Sequence, residues 1–323
     1  MELMSKFADR IQAFLDFRKS RGFKENPYSQ QLSYFDQWCV RKFPEEGMLS
    51  KELVFQWVND AASTLSDGQN KINCIRQFAN YLCATGEEAY ILPGKYKAKK
   101  DGTTPYIFSD EELTALFQAI DNLPPTNAEP FLPAICPVLF RLTYTCGLRP
   151  NESRELLTEN VNLKTGEILI THTKKNKERY VVMSDEMLAV ARRYDKRRRI
   201  LGQENPYFFP SASGECLSGH TVYAAFNRAW SNAVFQEDTP RKTRVRVYDL
   251  RHRFASACLC RWIEQRENLF AMLPYLSQYM GHNSLTETAY YIHILPENLL
   301  RTTSINWAVF DEMFQEAKKN DSF

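Results

Sequence analysis

Hydrophobic residues recur every three or four positions along four segments in the first part of the chain. The first segment, 3–20, places Phe7, Ile11 and Phe14 on one side of a predicted helix, with charged residues between them. Three further segments show the same spacing, and they are 28–43, 51–63 and 70–84. Because one face of each helix is apolar, we expect the four to pack as a helical bundle of about 90 residues.

The later part of the chain predicts a mainly helical domain that contains a small antiparallel sheet. Ser109 precedes three acidic residues, which predicts a capped helix N-terminus. The hydrophobic period changes to two at 167–173 and 178–183, which predicts a pair of strands joined by a polar turn. Helical spacing predicts the remaining elements, which are 131–146, 150–157, 185–201, 219–234, 250–266, 272–280, 284–293 and 304–319. The predicted fold class is mainly α with a small antiparallel β-sheet.

A basic segment without periodicity separates the two parts. Residues 94–105 contain Gly, Pro and four lysines and follow neither the helical nor the strand period. The predicted organisation is a helical domain at 1–94, a basic linker at 95–105 and a second domain at 106–323. The second domain mixes helices with the small sheet and ends in the helix near 304–319.

Charge is nearly balanced in total but uneven along the chain. The 323 residues include 41 basic and 39 acidic side chains, which give a net charge of +2. Basic residues concentrate in 95–100, 192–199 and 239–253, and together these runs favour a phosphate-rich partner over three independent solvated surfaces. No apolar run reaches about 18 residues, so we expect neither a membrane span nor a secretory signal, and a cytoplasmic location.

Cysteine and carboxylate spacing gives no sign of a metal. The eight cysteines contain no C-x-x-C pair and are typical of reduced thiols. Acidic residues do not recur beside a histidine at a spacing that would place them on one helix face. We therefore expect no metal and no cofactor.

Three short motifs carry candidate chemistry. In the first, G-L-R-P-N-E at 147–152, Gly147 can end one helix, and Pro150 suits the start of the next. Arg149 would then lie at a helix N-terminus, where free N–H groups favour an anion, and Glu152 can cap that end or hold the guanidinium. A structural turn capped by an arginine is the alternative interpretation.

The other two motifs lie closer to the C-terminus. Y-D-L-R-H at 248–252 predicts a helix that starts near Asp249, with Arg251 in its first turn. In G-H-N-S-L-T-E-T-A-Y-Y-I-H at 281–293, Gly281 breaks one helix, and Ser284 with Glu287 predicts a capping box for the next. The adjacent residues Tyr290 and Tyr291 would project about 100° apart, so only one can face a given pocket.

In this order, the three motifs resemble those of the tyrosine recombinases of the phage integrase type. That family usually carries G-L-R-x-x-E, then H-D-L-R-H, then L-G-H followed by Y-x-H. The hairpin T-K-K-N-K-E-R at 173–179 resembles the family turn G-K-G-N-K-E-R, which supplies a lysine. The N-terminal bundle is similar to the core-binding domain of the family, so the resemblance covers nearly the whole chain.

The resemblance implies a role for each matching residue. Tyr291 would be the nucleophile that forms a 3′-phosphotyrosine, so that rejoining needs neither metal nor ATP. Arg149 and Arg251 would hold the non-bridging phosphate oxygens, for which planar guanidinium groups are suited. The remaining candidates would assist: Lys174 as general acid with Lys175 as its rival, His282 on the scissile phosphate, Glu152 orienting the first arginine, and His252 in support. A satisfied core histidine is the alternative for His252.

One position departs from the family pattern. Tyr248 stands where the family usually has histidine and sometimes lysine. A phenol with an ordinary pKa near 10 is a poor base at neutral pH. Tyr248 would therefore assist proton transfer less well or differently, or it would only pack.

The resemblance also implies double-stranded DNA as the partner. The family closes a C-shaped clamp around short inverted-repeat core sites and works as a tetramer on two duplexes. The segment 304–319 would be exchanged between protomers of a homotetramer or would dock on its own domain. Candidate DNA contacts are Lys95, Lys97, Lys99, Lys100, Arg241, Lys242 and Arg244.

A site-specific recombinase that cuts and rejoins DNA is thus the leading hypothesis. A DNA-binding accessory protein with impaired catalysis and a DNA-relaxing enzyme like the type IB topoisomerases are the alternatives. The bundle begins almost at Met1, which leaves no room for an arm-binding domain and favours a Xer or transposon type. Divergence at Tyr248 and Lys175 favours integration or transposition of a mobile genetic element over chromosome-dimer resolution.

Overall fold

The chain forms two compact units, Met1–Thr104 and Pro105–Phe323, and each is described here by itself. The computed structural model describes seven stretches of the chain, which are 3–22, 26–60, 65–97, 105–171, 178–200, 205–233 and 245–294. The boundary between the units falls at the end of the segment 95–105 that the sequence assigns to a linker.

Four helices build the described part of the first unit. They are α1 (Ala8–Ser20), α2 (Asn26–Lys42), α3 (Lys51–Asp60) and α4 (Leu65–Ala84). Their apolar faces meet in an aromatic core that includes Phe7, Phe14, Phe35, Trp57 and Phe78. The Phe35 and Trp57 rings lie edge-on with centroids 5.4 Å apart, a favourable arrangement of aromatic quadrupoles.

The first helix begins later than the pattern 3–20 predicts. The backbone N–H groups of Met4 and Ser5 donate to the buried Asp36 carboxylate at 2.9 Å, and the Ser5 hydroxyl donates to it as well. These donors are therefore held outside a helix, and α1 starts only at Ala8. The same contacts fasten the start of the chain to α2.

The second unit contains eight further helices and a two-stranded sheet among the described residues. The helices are α5 (Asp110–Asp121), α6 (Leu132–Thr145), α7 (Pro150–Arg154), α8 (Asp185–Ile200), α9 (Gly219–Asn232), α10 (Val247–Glu264), α11 (Leu269–Met280) and α12 (Leu285–Ala289). Short 3-10 helices occupy Thr158–Asn160 and Tyr290–Ile294. The capped N-terminus predicted for α5 is present and takes the form of a capping box, because Ser109 accepts from Glu112 N and Glu112 accepts from Ser109 N.

The sheet is the antiparallel hairpin that the change of period predicts. Strand β1 (Glu167–Ile170) pairs with β2 (Arg179–Val182), with Glu167 opposite Val182 and Ile170 opposite Arg179. Ile168, Ile170 and Val181 point into the core, while Tyr180 and Val182 are exposed on the other face. This register places Arg179 at the start of β2, next to the turn.

Other predicted helix boundaries are also wrong: α4 begins at Leu65 rather than at 70, α7 ends at Arg154 rather than at 157, and α11 begins at Leu269 rather than at 272. Two further differences affect the motif residues. Helix α10 begins at Val247 rather than near Asp249, because the Asp249 carboxylate accepts from Arg246 N at 2.8 Å and caps the helix earlier. Arg251 consequently lies in the second turn and not the first. The helix predicted at 284–293 stops at Ala289 and continues as a 3-10 turn, in which residues three apart align, so that Ala289 and Ile292 both enter the core.

The described residues of the second unit form two apolar cores. The larger surrounds α6, whose residues are buried on most sides, and α10 contributes Val247 and Leu250 to it. The smaller lies between the rest of α10, α11 and the final turns, and it includes Tyr291. Among the described residues, no helix is both long and apolar enough to cross a membrane.

Candidate active site

Two helix ends with left-handed glycines form the frame of the site. Helix α6 is followed by Gly147 at φ +59°, and α11 is followed by Gly281 at φ +65°. In both turns a backbone N–H beyond the glycine bonds back into the helix, from Leu148 to Thr143 O and from His282 to Ser277 O. These left-handed turns are typical helix C-caps, and they leave carbonyl oxygens directed away from the helix.

Two arginines donate hydrogen bonds to carbonyl oxygens at these helix ends. Arg251 donates from Nη1 to Gly147 O and from Nη2 to Met280 O, each at 2.6 Å. Arg149 donates from Nη2 to Gly281 O at 2.6 Å. The two guanidinium groups therefore connect the first and third sequence motifs and lie at the partly negative ends of two helices.

Glu152 orients the first arginine. Arg149 is the N-cap of the short helix α7, and Glu152 accepts from Arg149 N at 2.9 Å and from Arg149 Nη1 at 2.7 Å. The carboxylate thus contacts both the backbone and the side chain of the arginine. Glu152 therefore makes both contacts that the sequence offered as alternatives, the helix cap and the guanidinium pair.

Arg179 completes this arrangement, and the sequence analysis gave it no role. It donates to both Glu152 oxygens, at 3.0 and 2.7 Å, and from Nε to Tyr279 O at 2.8 Å. Its only sequence signal was its place as the last residue of the hairpin motif. A Cβ at Gly281 would lie 3.0 Å from Arg179 Nη1, so the glycine also leaves space for this guanidinium.

The charges in this cluster are strongly coupled. Burial would raise the pKa of Glu152, but hydrogen bonds from Arg179 and Arg149 outweigh it and lower the pKa to about 2. Burial works to lower the pKa of Arg149, and the Glu152 carboxylate and the Tyr248 hydroxyl more than offset it. The Glu152 carboxylate therefore lies between two guanidinium groups, those of Arg149 and Arg179, on the floor of the site.

Arg251 is the most deeply buried member. Its side chain is 0% exposed, and its Nε has no hydrogen-bond partner among the described residues. Burial, followed by the neighbouring Arg149 charge, lowers its pKa. A buried cation with an unpaired donor is costly, and an anion beside it would relieve that cost.

Tyr291 lies beside this cation. Its side chain is 3% exposed, and its hydroxyl is 3.1 Å from His252 Nδ1. Burial raises the pKa of Tyr291 to about 12, although the Arg251 guanidinium works against the increase. Tyr290 is 42% exposed and points elsewhere, in agreement with the expectation that only one of the two tyrosines faces the pocket.

His282 and Tyr248 form the walls around the tyrosine. The His282 ring stacks on the Tyr291 ring with centroids 6.1 Å apart, and its Nδ1 lies 2.7 Å from the Thr288 hydroxyl. Its Nε2 is thereby left for another partner. The half-buried Tyr248 ring lies 4.9 Å from the His252 ring, and its hydroxyl neighbours Arg149.

One predicted local feature of this region is wrong. Ser284 does not cap α12, since its hydroxyl pairs with the Thr286 hydroxyl at 2.7 Å. Glu287 instead accepts from Asn283 N at 3.4 Å, one residue before the expected position. The neighbouring threonine competes for the serine hydroxyl, so the S-x-x-E pattern does not form its box.

Other candidates lie apart or outside the described residues. Lys174, Lys175, Lys99, Lys100, Arg241, Lys242, Arg244 and the segment 304–319 fall outside them. Lys95 and Lys97 are exposed in the first unit. Across the described stretches, no group of three or more His, Cys, Asp or Glu side chains could hold a metal ion.

Known proteins are similar to this chain in sequence and in fold. A Sinorhizobium fredii protein named "Putative integrase/recombinase y4rB" is 29% identical over 91% of this chain and 95% of its own length. Tyrosine recombinase XerD of Rhizobium meliloti is 27% identical over 72% of each chain.

Two solved structures show the same fold. The XerH site-specific recombinase, bound to palindromic difH substrate after cleavage, aligns with a TM-score of 0.63 at 18% identity over 87% of this chain and 79% of its own. The lambda integrase tetramer on a Holliday junction aligns with a TM-score of 0.62 at 16% identity over 88% and 76%.

A family model covers more than half of the chain. The model of the phage integrase family matches residues 107–298, which include all three motifs and every side chain of the pocket described above. The chain therefore belongs to the phage integrase family, the tyrosine recombinases.

Proposed function

We propose that this protein is a site-specific DNA recombinase that breaks and rejoins strands through a covalent bond between Tyr291 and a 3′-phosphate. The observation that carries the proposal is the convergence of Tyr291, Arg149, Arg251 and His282 on one pocket. Arg149 precedes the other three residues by more than a hundred positions in the chain. A buried phenol beside two guanidinium groups suits attack on a phosphodiester.

The arginines would supply most of the electrostatic stabilisation. The unpaired Nε of Arg251 and the remaining N–H groups of both guanidinium groups can donate to the non-bridging oxygens. Charge that develops on the phosphorane would then be met by donors already fixed by Gly147, Met280 and Gly281 carbonyls. Fixed donors need little reorganisation during the reaction, which is the main source of their effect.

Proton transfer to the leaving 5′-oxygen needs a separate group. We assign it to Lys174, with Lys175 as the alternative, by the resemblance of the 173–179 turn to the family hairpin. Arg179 supports this assignment, because it fastens the start of β2, just after that turn, to Glu152 in the site. His282 would donate from Nε2 to the scissile phosphate, and no metal or ATP would be required.

The assembly on DNA is part of the same proposal. The first unit and the lysines 95, 97, 99 and 100, with Arg241, Lys242 and Arg244, would contact double-stranded DNA at short inverted-repeat core sites. Four copies would pair two sites, with the segment 304–319 exchanged between them. The relatives named as integrase or recombinase support a role in moving a mobile genetic element, and we expect the protein in the cytoplasm.

A trapping experiment tests the chemistry. A binding site is first selected from random duplex DNA, and a nick is placed one to three nucleotides to the 3′ side of each candidate cleavage position. After cleavage, the short fragment that bears the new 5′-hydroxyl diffuses away. Wild type is expected to accumulate a covalent adduct that resists denaturing electrophoresis, whereas Tyr291→Phe forms none. Tyr290→Phe is the matched control, since it removes the neighbouring exposed hydroxyl, and it should form the adduct at the wild-type rate.

The outcomes separate the three functions. Absence of any adduct with wild type that binds the site would leave a DNA-binding accessory protein. An adduct together with relaxation of supercoiled DNA, but without pairing of two sites in gel filtration, would indicate a relaxing enzyme. An adduct that persists in Tyr291→Phe would refute the assigned nucleophile.

A further inference from the structure

The Tyr291 hydroxyl has a partner that the proposed mechanism leaves unused. His252 follows Arg251 on α10, and its Nδ1 lies 3.1 Å from the Tyr291 hydroxyl. On the other side of the ring, Nε2 lies 3.9 Å from the buried Asp249 carboxylate. A carboxylate near Nε2 favours the tautomer that carries its proton there, which leaves the Nδ1 lone pair to accept from the phenol.

The surroundings keep this imidazole uncharged in the resting protein. Burial lowers the pKa of His252 to about 4, and the Arg246 and Arg251 charges also act against protonation. Asp249 on the same helix acts in the opposite direction. The groups that face it from other elements are Tyr291 and His282, which are themselves uncharged at neutral pH, so His252 presents a free lone pair there.

The other groups around Tyr291 are less suited to take its proton. His282 uses Nδ1 for the Thr288 hydroxyl, and among the described residues the hydrogen bond at the Tyr291 hydroxyl is made by His252 and not by His282. Tyr248 carries a phenol whose hydroxyl neighbours Arg149, and its ring packs against the His252 ring rather than against the Tyr291 hydroxyl. The hydrogen-bonding geometry singles out His252.

We propose that His252 is a catalytic residue, the general base that removes the Tyr291 proton during strand cleavage and returns it during rejoining. This inference rests on the proposed function, because it assumes Tyr291 as the nucleophile. Asp249 acts as its positioning residue, and the Tyr248 ring shields one side of the imidazole.

Strand cleavage breaks two bonds and transfers two protons. The Tyr291 O–H bond breaks, its proton moves to His252 Nδ1, and the phenolic oxygen uses its electron pair to form a bond to phosphorus. The bond from phosphorus to the 5′-oxygen breaks, and that oxygen receives a proton from the hairpin lysine. In rejoining, the 5′-hydroxyl attacks phosphorus, its proton returns to the lysine, and His252 gives its proton back to the departing Tyr291 oxygen.

Bound DNA makes this transfer easier than it is in the free protein. A phosphate at the arginines adds negative charge beside His252 and offsets the Arg251 charge that opposes imidazolium. Asp249 then stabilises the imidazolium that forms, in the way a buried carboxylate stabilises the histidine of a serine hydrolase. The base becomes stronger when the substrate arrives.

The test uses His252→Asn in the full-length protein on the nicked DNA described above. Asparagine can place an amide near the Nδ1 position and keep a hydrogen bond to Tyr291, but it cannot accept the proton. We expect the single-turnover cleavage rate to fall about 100-fold to 10,000-fold, with DNA affinity unchanged. His220→Asn, at an exposed position on α9, is the matched control and should cleave at the wild-type rate.

A second substrate distinguishes a base from an acid. When sulfur replaces the bridging 5′-oxygen, the leaving group no longer needs a proton, so a variant that lacks the general acid regains cleavage. Lys174→Ala combined with Lys175→Ala is expected to be rescued by sulfur, whereas His252→Asn is not. Rescue of His252→Asn, or cleavage of the ordinary substrate within about threefold of wild type, would overturn the inference.

A further measurement covers the case in which the variant folds poorly. Fluorinated tyrosine at position 291 lowers the phenol pKa and reduces the need for a base. The rate deficit of His252→Asn relative to the otherwise identical protein should then shrink by at least tenfold, and an unchanged deficit counts against the base. Failure of wild type to form any Tyr291 adduct would remove the proposed function itself, whereas a normal adduct rate in His252→Asn removes only this inference.

Discussion

Replacing Glu152 by glutamine removes the carboxylate that Arg149 and Arg179 share. Glu152 accepts from Arg149 N, from Arg149 Nη1 and from two nitrogens of Arg179, and its side chain is almost fully buried. Glutamine has a similar shape, but it is neutral and turns an NH2 group toward a guanidinium. The substitution therefore leaves two partly buried cations without their shared counter-charge.

The pKa of Glu152 sets the magnitude. Its pKa falls from 4.5 to about 2 on folding, which corresponds to about 3 kcal/mol of stability. Because the folded-state pKa is the lower one, this stability is fully present above pH 4.5 and is lost as the pH falls through 4.5 toward 2. At about pH 3, roughly 2 kcal/mol of it is already lost.

Urea denaturation of wild type and Glu152→Gln over a range of pH measures this directly. The wild-type protein should be more stable by about 3 kcal/mol at neutral pH, and the difference should shrink to about 1 kcal/mol near pH 3. Taking the difference cancels the titration of every other carboxylate. Glu155→Gln is a suitable control, since Glu155 pairs with the neighbouring Arg154 and is partly exposed.

The direction of the pH dependence decides the outcome. A difference that stays constant with pH would mean that the lost contacts are not those of an ionised carboxylate. A difference that increases as the solution becomes more acidic would mean that Glu152 is protonated in the folded protein, and the reasoning on the coupled charges would then be refuted.

Three other substitutions test separate parts of the structure. Gly147→Ala should cost about 2–4 kcal/mol in urea denaturation, because its Cβ would lie 2.4 Å from the Phe254 ring at positive φ. An equal cost in a Phe254→Ala background would contradict the clash. Arg179→Lys keeps the charge but loses the paired contact with Glu152, so the free energy of unfolding should fall by about 1–3 kcal/mol, and an unchanged value would argue against the pairing. Asp36→Ala leaves three donors of the first unit without an acceptor and should cost about 2–3 kcal/mol, measured against the exposed control Asp16→Ala.

Periodic patterns predicted the elements well because most helices here are amphipathic and packed on one side. The strands were found for a similar reason, since one face of the hairpin is buried and the other is exposed. Helix starts were less predictable. Those of α1 and α10 depend on Asp36 and on Asp249, and the first of these contacts joins residues about thirty positions apart.

Motifs predicted which residues gather in the pocket, and this required the family resemblance. Arg149, Glu152, Arg251, His282 and Tyr291 lie together as their order in the motifs suggested. The contacts of Arg179 depend on the register of a strand pair, which no local pattern encodes. The sequence also did not show that His252 contacts the Tyr291 hydroxyl. That contact depends on the packing of α10 against the turns that carry Tyr291.

The backbone contacts of Arg251 have a consequence for how inactive variants are interpreted. Arg251 joins the ends of two helices through Gly147 O and Met280 O. Removing it therefore deletes a cation and also leaves two buried carbonyl groups without these hydrogen-bond donors. An inactive Arg251 variant has therefore lost both the contacts that hold two helix ends together and the guanidinium group itself. Its inactivity does not distinguish a structural role from a catalytic one. Tyr291→Phe deletes a single oxygen from an otherwise complete interior, which makes it the cleaner reference for a chemically silent protein.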